Sequence, residues 1–136
     1  MKRRDFLILS ASGLVMPVAS WPGTSGYRPG LALEELAAGK TVFLDFKASW
    51  CVTCAAQGRV IDALKAENPA YEQQISFIVV DWDIYGKRKL SKSLRIPRRS
   101  TLVVLKGDQE LGRIVAGTSR KAIKELMDIA LAAAIA

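Results

Sequence analysis

The 136-residue chain has room for one domain. Half its residues are apolar and 24% are charged, which excludes a disordered or coiled-coil chain. It has two cysteines and no histidine, so Ser-His and Cys-His nucleophile pairs and Cys/His zinc sites are excluded. Two thiols cannot close a four-ligand structural site, and no nucleotide-binding glycine loop is present. No metal, flavin or nicotinamide cofactor is therefore expected. The formal charge is +7, but the excess is local and no aromatic stripe accompanies it, so nucleic-acid binding is not expected.

The N-terminus reads as an address label. Lys2, Arg3 and Arg4 form a basic region, Phe6 to Ala19 is apolar, and Val18-Ala19-Ser20 is a small-residue cleavage site. This is the layout of a signal peptide over residues 1–20, and the apolar stretch is short for a membrane span. Arg3-Arg4-Asp5-Phe6-Leu7 is similar to a twin-arginine export motif, without the usual Ser or Thr before the pair. Residues 21–30 are turn-rich and read as a linker before one domain over 31–136.

Within that domain, Leu31, Leu33, Leu36 and Ala37 suggest a short helix ending at Gly39. Thr41 to Lys47 is β-rich and mostly apolar, like a buried central strand. After a turn at Ser49-Trp50-Cys51, Cys54 to Glu67 has a helical pattern through Val60, Ile61 and Leu64, and Asn68-Pro69 ends it. Ile75 to Asp81 is a second buried strand, residues 86–94 a short basic helix, and Thr101 to Lys106 a third strand. Gly107-Asp108 turns the chain into a hairpin partner, Leu111 to Ala116. Thr118 or Ser119 caps a last helix whose apolar face is Ile123, Leu126, Met127 and Ala130. The order is that of an α/β protein with a mixed four-stranded sheet and helices on both faces.

Cys51-Val52-Thr53-Cys54 lies just after a buried strand and opens a helix. There Cys51 meets free N–H groups and the positive end of the helix dipole, which lowers its pKa and makes it the nucleophile. Cys54, three residues on, shares the same helix face and is placed to attack a mixed disulfide and release the product.

The segment Asp45-Phe46-Lys47-Ala48-Ser49-Trp50-Cys51-Val52-Thr53-Cys54 resembles the active-site segment of the thioredoxin family. The strand, the acid six residues before the first cysteine and the adjacent Trp all match. Leu33 to Lys40 is similar to exported members, such as the C-terminal domain of the bacterial periplasmic disulfide reductase. The resemblance implies the thioredoxin fold and disulfide exchange, with Cys51 as nucleophile and Cys54 as resolving thiol. It also implies that Asp45, costly in an apolar strand, assists proton transfer at the second thiol; the alternative is a strand-end acid that reaches water. Trp50 is expected to shape the substrate-docking surface. Lys47 stands where the family has an aromatic, either solvated or turned toward Cys51.

The family carries a cis-proline opposite the two cysteines, directly before a Thr and the next strand. Here Ile96-Pro97-Arg98-Arg99-Ser100-Thr101 allows two alignments. Pro97 is that proline followed by an insertion, or Ser100 replaces it before Thr101 and brings a hydroxyl to Cys51. Pro97, Ser100 and Thr101 are thus the candidate substrate-binding residues beside Trp50. Upstream, residues 87–99 hold seven positive charges and no acid, either a solvated face or a dock for an acidic partner.

An exported, periplasmic thiol–disulfide oxidoreductase is the favoured reading. Strong oxidants of this fold carry a His between the cysteines, and Val52-Thr53 offers none, so a reductant of exported proteins fed by a membrane thiol reductase is expected. The competing readings are a non-catalytic module holding a polypeptide or a soft metal such as Cu(I) on the thiols, and a cytosolic protein with an unusual N-terminus.

Overall fold

The computed structural model describes residues 23–136. The signal-peptide reading of residues 1–20 lies outside the described residues. The chain runs β1 (Thr24–Gly26), α1 (Leu31–Ala37), β2 (Thr41–Lys47), α2 (Val52–Glu67), α3 (Ala70–Gln74) and β3 (Ser76–Asp81). It continues through α4 (Trp82–Tyr85), α5 (Lys89–Ser93), β4 (Thr101–Lys106), β5 (Gln109–Val115) and α6 (Arg120–Ile135).

The strands form one mixed sheet in the order β1-β3-β2-β4-β5. β1, β3 and β2 are parallel neighbours, whereas β4 runs antiparallel to both β2 and β5. The sheet thus has five strands rather than the expected four. The extra strand comes from the stretch read as a linker: Thr24, Ser25 and Gly26 pair with Phe77, Ile78 and Val79. Backbone hydrogen bonds to a strand already in place hold it, which the turn-rich composition does not reveal.

β2 is buried along its length because both faces of the sheet are covered. Phe43 joins Ile61, Leu64, Phe77, Ile123 and Met127 under α2 and α6. Val42, Leu44 and Phe46 point the other way, toward Ala32, Ile78, Val80 and Val103 under α1. This alternation sends Asp45 to the α2 side, with Phe43. Pro69 starts a short further helix, α3, whose Tyr71 is buried in the same core. The residues expected on the inner face of α6 are all buried, and Ser119 Oγ caps it by accepting from the Ala122 N–H at 3.2 Å.

β2 and α2 therefore meet at one edge of a rigid core, and β4 begins opposite their junction. That junction carries both cysteines.

Candidate active site

Cys51 is the N-cap of α2, with extended backbone (φ −92°, ψ 114°), and its sulfur accepts the Cys54 N–H at 3.1 Å. A thiolate in this position satisfies one of the N–H groups that a helix start leaves free. Cys54 is one turn on, in the buried row Cys54, Gln57, Ile61, Leu64 of α2. Both thiols are free and buried, packed with Ala48 against Trp82.

Ser100 lies against both. Its Oγ is 3.2 Å from Cys51 Sγ and 3.1 Å from Cys54 Sγ. No cis peptide bond occurs among the described residues, and Ser100 sits in the left-handed region at φ 65°. A non-glycine residue is uncommon there and needs external support. That support is visible: the Ser100 N–H donates to Phe46 O at 2.7 Å, and its carbonyl accepts the Ala116 N–H at 2.8 Å. Of the two alignments, Ser100 stands at the sulfurs, while Pro97 is exposed. Thr101 is buried and donates its hydroxyl to Arg98 O at 2.7 Å, so it closes the turn and offers no surface to a substrate.

Burial raises the Cys51 thiol, but the Cys54 thiol, the Ser100 hydroxyl, the Cys54 N–H and the Arg99 guanidinium more than offset it, and it falls to about 7. Burial and the neighbouring Cys51 hold the Cys54 thiol above its ordinary value. The pair is thus split into a more acidic first thiol and a less acidic second one.

Arg99 is the cation beside Cys51. Its guanidinium lies 4.5 Å from the centroid of the Trp50 ring, close enough for a cation–π contact. The Trp50 N–H in turn donates to both carboxylate oxygens of Asp83, at 3.1 and 3.0 Å. Trp50 is 57% exposed, and Val52, next along the motif, and Ile84, which lines a cleft with Trp50, add exposed apolar surface. Trp50, Ile84, Lys87 and Arg88 line one cleft, which brings part of the basic run beside that surface.

Lys47 is turned away from Cys51. It lines a cavity of about 140 Å³ with Asp45, Gly58, Asp62 and Lys65, and its Nζ lies 3.9 Å from where a Cβ at Gly58 would stand. Asp45 is 8% exposed and its Oδ1 has no hydrogen-bond partner. Burial raises its carboxyl to about 6, against the pull of Lys47 and Lys65 and with a push from Asp62. Asp45 makes no hydrogen bond to either sulfur, but the polar cavity beside it has room for water.

Gln57 was not singled out by sequence reasoning. It is fully buried, and its amide donates to Ser100 O at 3.0 Å and Gly117 O at 2.9 Å. Two carbonyl acceptors fix the amide orientation, because only the NH₂ end can serve both. Its Oε1 is left buried without a partner, a cost of about 1–3 kcal/mol. The available signal was a polar residue in the apolar row of α2, one turn after Cys54.

An acidic thiol at a helix start, a second thiol one turn on and exposed apolar side chains beside them are the parts of a thiol–disulfide oxidoreductase. Residues 33–129 match the family described as Thioredoxin, and the chain belongs to that family. It is 31% identical to a thioredoxin of Echinococcus granulosus over 99 residues, which covers 72% of this chain and 86% of that protein. It is 26% identical to a thioredoxin of Mycobacterium tuberculosis over 99 residues, 72% of this chain and 81% of that one. Among solved structures, Trxlp from Edwardsiella tarda superposes with a TM-score of 0.68 at 27% identity, covering 77% of this chain and 98% of that one.

Proposed function

We propose that the chain is an exported reductant of protein disulfides. The observation that carries the direction is Val52-Thr53 between the cysteines: these residues supply no charge to hold the Cys51 thiolate, and a reduced form without that extra stabilisation makes a reductant. Lys2-Arg3-Arg4 and the apolar stretch after it support export, into the periplasm of a bacterium.

The Cys51 thiolate attacks one sulfur of a substrate disulfide. The substrate S–S bond breaks, one substrate thiolate leaves, and a mixed disulfide forms on Cys51. Cys54 then gives up its proton, with the buried Asp45 carboxylate as the acceptor, and attacks Cys51 Sγ. The second substrate thiolate leaves, and two electrons have passed to the substrate. A membrane dithiol reductase restores the pair. Lys87, Arg88, Arg98 and Arg99 near the docking surface favour substrates with acidic residues beside the disulfide.

The test is the reduction potential of Cys51–Cys54 in dithiol buffer, followed by tryptophan fluorescence. A value near thioredoxin's, about −270 mV, is expected. A value near −120 mV, that of the strong oxidant, would make the chain a disulfide donor instead. Absence of a reversible couple would favour a binding module.

A further inference from the structure

Gln57 and Ser100 form a small assembly that disulfide exchange in general does not require. One hydroxyl stands 3.2 and 3.1 Å from the two sulfurs; its Oγ also accepts from the Arg98 guanidinium at 3.5 Å, and the Arg99 guanidinium faces Cys51. A hydroxyl has one proton to give and lone pairs to receive. A Cys51 thiolate can only accept, so with Cys51 ionised the Ser100 O–H must donate to it, which leaves Ser100 Oγ to accept the Cys54 S–H. Oxidation joins the sulfurs, takes the proton off Cys54 and passes two electrons to the substrate. The hydroxyl then faces a neutral disulfide sulfur, a much poorer acceptor. Its bond therefore favours the reduced form selectively.

The hydroxyl can bridge only while Ser100 stays at φ 65°, a conformation that its own side chain disfavours. Two backbone hydrogen bonds hold it from β2 and from the end of β5. The third constraint is the Gln57 amide, which ties Ser100 O to Gly117 O from inside the helix that carries the cysteines. Gln57 accepts a buried, unpartnered Oε1 in order to make these two bonds. A leucine would fill the same helix row without that orphaned atom.

We propose that Gln57 is a positioning residue that holds the Ser100 hydroxyl between the two sulfurs, so that this hydroxyl stabilises the reduced pair and sets the potential at which the chain exchanges disulfides. The proposal rests on the redox reading of the thiols but not on the reductant direction, because it concerns differences between variants.

The experiment compares the chain with Ser100→Gly, Gln57→Leu and the double variant. Ser100→Gly suits the left-handed backbone and removes the hydroxymethyl group that lies against the sulfurs. Two quantities are read: thiolate absorbance of Cys51 against pH, and the equilibrium with a dithiol buffer. If the hydroxyl makes Cys51 a tenfold stronger acid, Ser100→Gly shifts the equilibrium toward disulfide about fivefold at pH 8, about 20 mV, and hardly at all at pH 6. Gln57→Leu shifts both quantities in the same direction by a smaller factor, about twofold, and has no further effect in the Ser100→Gly background. If Gln57→Leu does not fold, Gln57→Met replaces it. The proposal is overturned if the Gln57 variant leaves the Cys51 titration in place. It is also overturned if the redox shift is the same at pH 6 and 8, or persists undiminished without the hydroxyl. A wild-type potential near −120 mV would remove the reductant reading and leave these differences standing. If no reversible couple forms, the Cys51 titration decides between the variants by itself.

Discussion

Removing the charge of Asp45 is expected to stabilise the fold in a pH-dependent way. The perturbation is Asp45→Asn, which keeps the shape of the side chain. Asp45 is buried, and its carboxyl rises from 3.8 to about 6. The folded chain therefore binds a proton more tightly than the unfolded one, and stability falls as pH rises between about 4 and 6. Above that window the ionised carboxylate costs roughly 3 kcal/mol, and near pH 4 only a small part of that cost is present. The advantage of Asp45→Asn over the parent should thus grow by roughly 2–3 kcal/mol from pH 4 to pH 7.5. The assay is urea unfolding of both chains, reduced, at several pH values, read by tryptophan fluorescence. An advantage independent of pH, or larger at pH 4 than at pH 7.5, would refute the reasoning and place a solvated or fully paired carboxylate at this position.

Arg99→Met keeps an apolar stem over Trp50 and removes the cation beside Cys51. Its Cys51 should titrate at higher pH, so alkylation by iodoacetamide slows at pH 7 and converges with the parent above pH 9; equal rates at pH 7 would exclude Arg99 as a thiolate partner. Gly58→Ala should stabilise the chain by about 0.5–1 kcal/mol in urea unfolding, because helix interiors favour Ala over Gly. Its new Cβ meets only Lys47 Nζ, at an ordinary 3.9 Å. A loss of stability would show that the cavity beside Asp45 needs the open helix face.

The parts legible in the sequence were those governed by periodicity. β2 and β3 read as apolar runs because both faces of each are covered, and α6 read from its inner row Ile123, Leu126, Met127 and Ala130. The position of Cys51 and Cys54 at a strand-to-helix turn was equally plain. β1 was not, because three residues with Gly at the end carry no strand signal and owe their form to β3. α3 was hidden because Asn68-Pro69 reads as a stop, although Pro69 also starts a helix well.

At the site, sequence spacing gave the residues along β2 and α2 but not what crosses to them from β4. It left open whether Ser100 or Pro97 faces the sulfurs, and the turn closed by Thr101 and Arg98 brings Ser100 there. Lys47 reads from the sequence as either solvated or turned toward Cys51. The alternation of β2 sends it to the Asp45 side, and Arg99, from the loop before β4, takes the place beside Cys51. Gln57 depends on contacts with residues 43 and 60 positions away, which helical periodicity alone cannot express.

The central claim is that Cys51 attacks and Cys54 resolves. Trapping tests it most directly: Cys54→Ser and Cys51→Ser variants are each mixed with insulin at pH 7, and adducts are read by intact mass under non-reducing conditions. Cys54→Ser should accumulate a stable mixed disulfide on Cys51, while Cys51→Ser forms almost none. An adduct that forms on Cys54 as fast as on Cys51, or none on Cys51 at all, would contradict the assignment.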